Sequence, residues 1–474
     1  LARGWRSVLC ADVFVFHAGS ASFGAERDVL IAHADAVLRS RYPEYFDEVR
    51  AFILQDRLSH LRRGVEIDLA RRRRITAAPI DVLPAANSAA VMSYRASKTE
   101  PVMADVRGRP VQLHVVHDLG GGIERWCKDF GRADAARVNL VLKPFCRGHA
   151  AGEGLMLFAS SGDDEPLQFW SFTQPFAATV THHPEYARVI RDIVRDYHVD
   201  AVLVSSLIGH SLDVLRAGPP TVLIAHDYFP LCPAINLYYD GVCQSCDGAR
   251  VADCVEHNPD FNSFPLLTPA ERIEVRRSLL DLIERRAVTL VVPCRVVWQH
   301  LVSLFPSLSH ASWVAIPHGT DQRLKPVPSS AARGSQRKLR VVVLGVLSVN
   351  KGVRLVAEIL QPLTDFADVF LVGAQEVGEM FSGYPGVSVI PRYSVDELQS
   401  ILDRIRPDVG LLLSIWPETF SYTLSELMQA AVPPIATNVG AFGERIRDGE
   451  TGFLVVPDAQ AILDAMYQDK KVER

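Results

Sequence analysis

The chain has 474 residues, 48% of them hydrophobic and 22% charged, and a net charge of −5. That length exceeds what one hydrophobic core fills and predicts two or three domains, while the acidic balance excludes nucleic acid as a bulk partner. No apolar run approaches the roughly 20 residues of a membrane-spanning helix, and eight cysteines over this length do not make a disulfide scaffold, so a reducing cytoplasm is the expected compartment.

The chain opens at Leu1 with neither an initiator methionine nor a signal-peptide pattern, and reads as a fragment. Residues 13–17 are β-rich and residues 19–24 are loop-like. Helical periodicity runs through 28–31 and again through 47–74. These features resemble the end of a family-2 glycosyltransferase domain of the GT-A fold, in which a late histidine-containing loop closes over the donor. His17 occupies that loop. Most of such a domain is missing, including any residues for a nucleotide and a divalent metal, so the remnant, residues 1–80, is expected to be inactive. The four arginines at 71–74 read as the solvated face of a helix rather than a membrane or nucleic-acid site. Residues 81–107 lack sustained periodicity and read as a linker.

A new domain, 108–326, opens with a buried-strand pattern at 111–118, followed by Gly120, Gly121 and Gly122 and a helix from about Ile123. Strand, glycine turn and helix form a phosphate-approach element: glycines let a ligand near the backbone, and the helix start offers free N–H groups. Further strands are expected at 139–142, 199–204, 221–225 and 290–293, helices at 186–197 and 269–286, and a small β insertion around 155–158. Strand 221–225 ends in His226-Asp227-Tyr228. A histidine at the carboxyl end of a parallel strand faces the crevice, and its imidazole titrates near neutral pH. His210 is a second cleft candidate. Cys232, Cys243, Cys246 and Cys254 fall within 23 residues. Four thiolates there would hold a structural zinc and staple a loop lacking its own core, although the spacing is not two CxxC pairs and His257 competes as a ligand.

Residues 327–337, small, polar and Pro/Gly-containing, read as an interdomain linker to a second domain, 338–474. It opens with a strand at 339–345 and carries Lys351 shortly after. Strands follow at 369–372 and 387–390, and Tyr393 heads the next loop. The apolar run 409–415 predicts a buried strand, which Pro417 closes. Ser421 or Thr423 can cap the helix that begins near Leu424. Glu418 therefore sits on a strand-to-helix turn, and Glu426 eight residues later sits in the helix. Loops at the carboxyl ends of parallel strands bind ligands in open α/β sheets, and helix starts attract phosphate. Two acidic groups beside such a start suit a ligand with sugar hydroxyls at one end and a diphosphate in the middle.

Glu418 and Glu426, followed by 430–437, Gly440, Glu444, Gly449 and Gly452, resemble the donor-site half of retaining glycosyltransferases of family 4, and the resemblance covers about residues 110–465. It implies an α/β chain of the GT-B fold: two Rossmann-like domains facing across a cleft, here preceded by the partial GT-A-like tail. It further implies transfer of a sugar from a nucleotide-diphosphate-sugar donor to a hydroxyl of a glycan or lipid-linked acceptor, with retention. Cell-surface polysaccharide is the expected product, made in the cytoplasm or peripherally at the inner face of its membrane. Catalysis would fall to His226, Lys351 and Glu418, and donor binding to Gly121, Gly122, Lys351, Glu418, Thr419, Phe420, Ser421 and Glu426. No metal cofactor is implied for catalysis. Two departures stand out. The family pattern has arginine where this chain has Val346, and the closing C-terminal element reads as shortened. Both favour the other reading, a non-catalytic GT-B module that recruits partners within a polysaccharide-assembly protein.

Overall fold

Runs of Val, Leu and Ile without polar alternation suit parallel strands covered on both faces, and two sets of such runs build the chain's two large sheets. The structure is a computed structural model that describes residues 37–38, 40–42, 93–95, 108–145, 151–160, 165–258, 267–327 and 337–472. The expectations for His17, for the arginines at 71–74 and for the family-2-like remnant lie outside these residues. The chain divides into two units, Leu1–Arg57 and Leu58–Arg474, and both sheets belong to the second.

The first domain contributes β1 (Ser93–Arg95), β2 (Val111–Val115), α1 (Gly122–Ala133), β3 (Val138–Phe145), β4 (Ala151–Phe158), β5 (Gln168–Ala177), α2 (Pro184–Asp196), β6 (Val199–Val204), β7 (Thr221–Ile224), α3 (Gly248–His257), α4 (Pro269–Glu284), β8 (Thr289–Val292), α5 (Arg295–Leu304) and β9 (Trp313–Ala315). Among the described residues its sheet runs β1-β5-β4-β3-β2-β6-β7-β8-β9. From β3 to β9 neighbouring strands are parallel, whereas β4, β5 and β1 form an antiparallel extension. The expected β insertion is thus β4 and β5. Strand β1, inside the stretch read as linker, is its edge; three residues are too few to show a period.

Local chemistry fixes the helix starts. Thr268 and Glu271 form a reciprocal capping box ahead of α4, with Pro269 in its first turn. Asp247 caps α3 by accepting from the Arg250 N–H at 2.8 Å.

The second domain contributes β10 (Leu339–Leu344), α6 (Val353–Thr364), β11 (Ala367–Val372), β12 (Val387–Ile390), α7 (Leu398–Ile405), β13 (Val409–Leu412), α8 (Tyr422–Gln429), β14 (Pro434–Thr437), β15 (Phe453–Val455) and α9 (Ala459–Val472). Its sheet is all parallel, ordered β12-β11-β10-β13-β14-β15. That is the doubly wound order, whose topological switch lies between β10 and β13, where a crevice opens at the strands' carboxyl ends. In the first domain the order reverses at β2, which leads into the glycine turn. Both switch points therefore carry the loops singled out in the sequence.

Strand β13 stops at Leu412, three residues short of the expected end. Beyond it the chain leaves the sheet: the Ile415 N–H donates to the Asn350 carbonyl at 3.0 Å, and the Thr437 hydroxyl donates to the Ser414 carbonyl at 2.5 Å. Residues 413–417 thus become the wall of a site rather than more sheet.

Candidate functional site

Glu418 sits on the turn after β13 and is 6% exposed. Its Oε1 pairs with the Lys351 ammonium and accepts from the Ser414 hydroxyl at 2.5 Å. Lys351 also lies 5.3 Å from the centre of the Trp416 ring. Every one of these partners comes from the second domain.

Of the two capping residues proposed from sequence, Ser421 caps α8, its hydroxyl accepting from the Leu424 N–H at 3.2 Å. Glu426 lies one turn into that helix and is 4% exposed. Burial raises its pKa, and the guanidinium of Arg125 opposes that rise. Arg125 belongs to α1, in the other domain. It donates from Nη1 to Glu426 Oε1 at 2.6 Å, and from Nη2 to Gln322 Oε1 at 2.6 Å and Thr320 Oγ1 at 3.1 Å. It also lies 4.8 Å from the centre of the Tyr422 ring.

The stretch between the glutamates joins the domains. The Thr419 hydroxyl donates to the His226 carbonyl at 2.6 Å. Phe420, 6% exposed, packs into the first domain's core cluster together with Ala441, a burial worth about 1.5–3 kcal/mol for such a side chain. Arg445 fixes the turn from behind, donating to the Phe420 and Ser421 carbonyls at 2.5 and 2.8 Å and to the Ser425 hydroxyl at 2.8 Å. Facing the helix start is the glycine turn. Gly121 is the N-cap of α1 with φ 80°, and a Cβ at Gly122 would lie 3.6 Å from the Tyr422 ring.

His226 is reached through a column of rings. It packs edge-on against Trp126 at 5.0 Å and stacks on His318 at 4.4 Å, which meets Phe420 at 4.9 Å. Desolvation holds the His226 pKa well below its usual 6.5, with His318 adding to the shift; His318 itself falls to about 4. Both imidazoles are therefore neutral at pH 7. His226 Nε2, Trp416 Nε1 and Tyr422 Oη are buried polar atoms without a hydrogen-bond partner among the described residues. Buried polar groups are rarely left unpaired, and all three cluster around the Glu418–Glu426 stretch.

The site thus brings together Gly121, Gly122, His226, Lys351, Glu418, Thr419, Phe420, Ser421 and Glu426. His210 does not join them. It is fully buried, with Nδ1 2.9 Å from the Tyr186 hydroxyl and Nε2 2.9 Å from the Val116 carbonyl, so both ring nitrogens are satisfied inside the first domain. Tyr393 packs against Gly373, at the end of β11.

The four cysteines of the excursion after β7 make separate contacts. Cys232 Sγ accepts from the Leu237 N–H at 3.3 Å, Cys254 Sγ from Asn258 Nδ2 at 3.4 Å, and Cys246 Sγ from Arg276 Nη2 at 3.2 Å. Cys243 packs against the core. Burial raises the thiol pKa values of Cys232, Cys243 and Cys254, and the neighbouring cysteines add to the rise, so the four share one neighbourhood; among the described residues no group of three or more His, Cys, Asp or Glu side chains is arranged to hold a metal ion. Among the same residues no helix is long and apolar enough to cross a membrane.

Three site residues escaped the sequence reading: Arg125, His318 and Arg445. His318 had a visible signal, since it follows β9 much as His226 follows β7. Arg125 and Arg445 had none, because their partners are distant in sequence.

Comparison with known proteins supplies the class. Residues 338–468 match the family described as Glycosyl transferases group 1. The whole is similar to sucrose-phosphate synthase from Thermosynechococcus elongatus, at 16% identity and TM-score 0.50, over 76% of this chain and 89% of that one. A glycosyltransferase from Rickettsia africae is similar at 15% identity and TM-score 0.49, over 77% and 89% of the two chains. Anabaena HepE, solved in complex with UDP, is similar at 13% identity and TM-score 0.48, over 77% and 91%. None of the curated proteins compared with the chain matches it. The fold is that of GT-B glycosyltransferases, with two Rossmann-like domains. The second of these domains is a glycosyltransferase group 1 domain.

Proposed function

We propose that this chain is a retaining glycosyltransferase of the family-4 type, moving a sugar from a nucleotide-diphosphate donor to a hydroxyl of a glycan or lipid-linked acceptor. The observation that carries the reading is the pair of buried carboxylates, Glu418 and Glu426, flanking the start of α8 at a topological switch point. Glu418 would accept from hydroxyls of the transferred sugar and Glu426 from those of the ribose. The diphosphate between them would meet the N–H groups of residues 419–422, the positive end of α8 and the Lys351 ammonium.

Transfer breaks the bond from the anomeric carbon to the phosphate oxygen and forms one to the acceptor oxygen, whose proton leaves with the diphosphate. Lys351 and the helix start stabilise the charge that grows on the leaving oxygens. His226, neutral and with Nε2 unpartnered among the described residues, would hydrogen-bond the sugar. Glu418 is already paired with Lys351, so it is poorly suited to act as the acid or base of a two-carboxylate hydrolysis. Packing of Phe420 into the opposite domain would keep water from the reacting centre. Cell-surface polysaccharide synthesis at the cytoplasmic face of the membrane is the setting that suits a lipid-linked acceptor.

The test is thermal melting of the full chain with UDP, GDP, dTDP and ADP, beside Glu426→Ala. One diphosphate should raise the melting temperature by mass action, and the variant should lose most of that rise. Proton NMR of sugar released by slow donor hydrolysis should show the donor's own anomer. Inverted sugar would overturn retention. The exposed Val346, where the family pattern has a cation, favours a second reading as a non-catalytic module. A folded protein whose melting no diphosphate shifts would establish that one.

A further inference from the structure

The two carboxylates differ in who neutralises them. Lys351 serves Glu418 from the same domain, whereas Glu426 depends on Arg125, 301 positions away across the cleft. Arg125 is only 19% exposed in its side chain and is anchored by Thr320 and Gln322 as well as by Glu426. Asp129, on the same helix, approaches its Nε at 3.9 Å. Its guanidinium therefore stays at the seam whichever anion it meets.

A ribose engaging Glu426 would bring only neutral hydroxyls to the carboxylate while competing with Arg125 for the same oxygens. That exchange would leave the guanidinium only the longer anionic contact to Asp129, 3.9 Å from its Nε, unless an anion arrived with the ribose. A diphosphate at the start of α8 is such an anion: Tyr422, the first residue of that helix, is the ring on which Arg125 rests. The loop after β10 presents the exposed, apolar Val346, so that loop supplies no competing charge from position 346, and Lys351, the other cation for the diphosphate, is shared with Glu418.

We infer that Arg125 is the exchangeable cation of the site, neutralising Glu426 before the donor enters and passing to the donor diphosphate when ribose hydroxyls take the carboxylate. The inference rests on the donor reading above and adds a phosphate-recognising residue delivered by the opposite domain. It makes Arg125 a discriminator between a nucleoside and its diphosphate. A guanidinium that only clasps the domains together would oppose both ligands alike.

Isothermal titration of the full chain with uridine, guanosine and adenosine and with their 5′-diphosphates tests this, using wild type, Arg125→Gln and Arg125→Lys, each checked for an unchanged circular dichroism spectrum. In Arg125→Gln the preferred diphosphate should bind at least tenfold more weakly, while the nucleoside binds equally or more tightly. Arg125→Lys, keeping the charge, should recover part of the loss. Equal changes for nucleoside and diphosphate, or no change, would overturn the exchange while leaving the donor site standing. Failure of wild type to bind any diphosphate would overturn the donor reading and this inference with it.

Discussion

Glu418 and Glu426 stand at the two ends of one nine-residue stretch, yet they are built differently. Glu418 is fixed by its own domain: Ser414, Lys351 and the backbone around Gly440 hold it whatever the first domain does. Glu426 is completed only where the first domain delivers Arg125. One end of the site is organised before the domains meet and the other through their meeting. Rigid preorganisation favours charge stabilisation during reaction, whereas a contact made across domains suits recognition coupled to closure.

The largest effect should come from the preorganised end. Lys351→Ala should lower kcat by ~10²–10³, about 2.7–4 kcal/mol of lost charge stabilisation, in a steady-state transfer assay. Arg125→Gln should spare kcat at saturating donor by comparison and raise KM. Equal losses in kcat would break the distinction between the two ends.

Gly440→Ala probes the same end through the backbone. Gly440 has φ 56°, and a Cβ there would lie 2.4 Å from the Glu418 nitrogen and 2.5 Å from its carbonyl oxygen. The added methyl forces the turn to move, and a stability loss of about 2–3 kcal/mol is expected by urea denaturation. A loss within about 0.5 kcal/mol would show that this end is more pliant than its contacts suggest.

Acid should act at the seam. Burial holds His318, and His210 in the first domain, down to about 4 against 6.5; His114, His117, His226 and His300 shift the same way. Between pH 4 and 6.5 the folded chain therefore binds fewer protons at these sites than the unfolded one. The stability they contribute is whole above 6.5 and is lost as pH falls. Asp227, raised by burial to about 7 from 3.8, works in the opposite sense, as does Glu426, but the histidines outnumber them. The free energy of unfolding should fall from pH 7 to pH 4.5 by about 1.4 kcal/mol per pH unit for each uncompensated proton, read as a falling melting temperature. His318→Asn should flatten the slope.

The smallest effect is expected from Thr419→Val, which removes one hydrogen bond to the His226 carbonyl, worth about 0.5–1.5 kcal/mol. Its interest lies in placement. Loosening the seam there should weaken donor affinity, as a change at Arg125 does, and leave the Glu418 end unaffected in kcat.

What the sequence made legible follows the same divide. Glu418, Ser421 and Glu426 were readable because strand, turn, cap and helix are successive in the chain, and so was the strand-end position of His226. Arg125, Arg445 and His318 act through partners far away in sequence, which no local period or motif encodes. The same blindness misplaced His210. Its setting suggested the cleft, but Tyr186 and the Val116 carbonyl close over it from other elements. The cysteine spacing suggested convergence, and the thiols share one neighbourhood, while Cys232, Cys246 and Cys254 each accept from a donor that the spacing does not reveal.

One contact away from the glutamates has a use of its own. Helix α5 begins at Cys294, whose side chain provides no cap, and the Val296 N–H is taken instead by Glu444 Oε2 of the second domain at 2.8 Å. A backbone amide in one domain is thus shielded by a carboxylate in the other. Its exchange with deuterated solvent should be slow while the domains are together and quick whenever they part. Val296 is a native isotope clock for the opening rate, readable without a label on either domain.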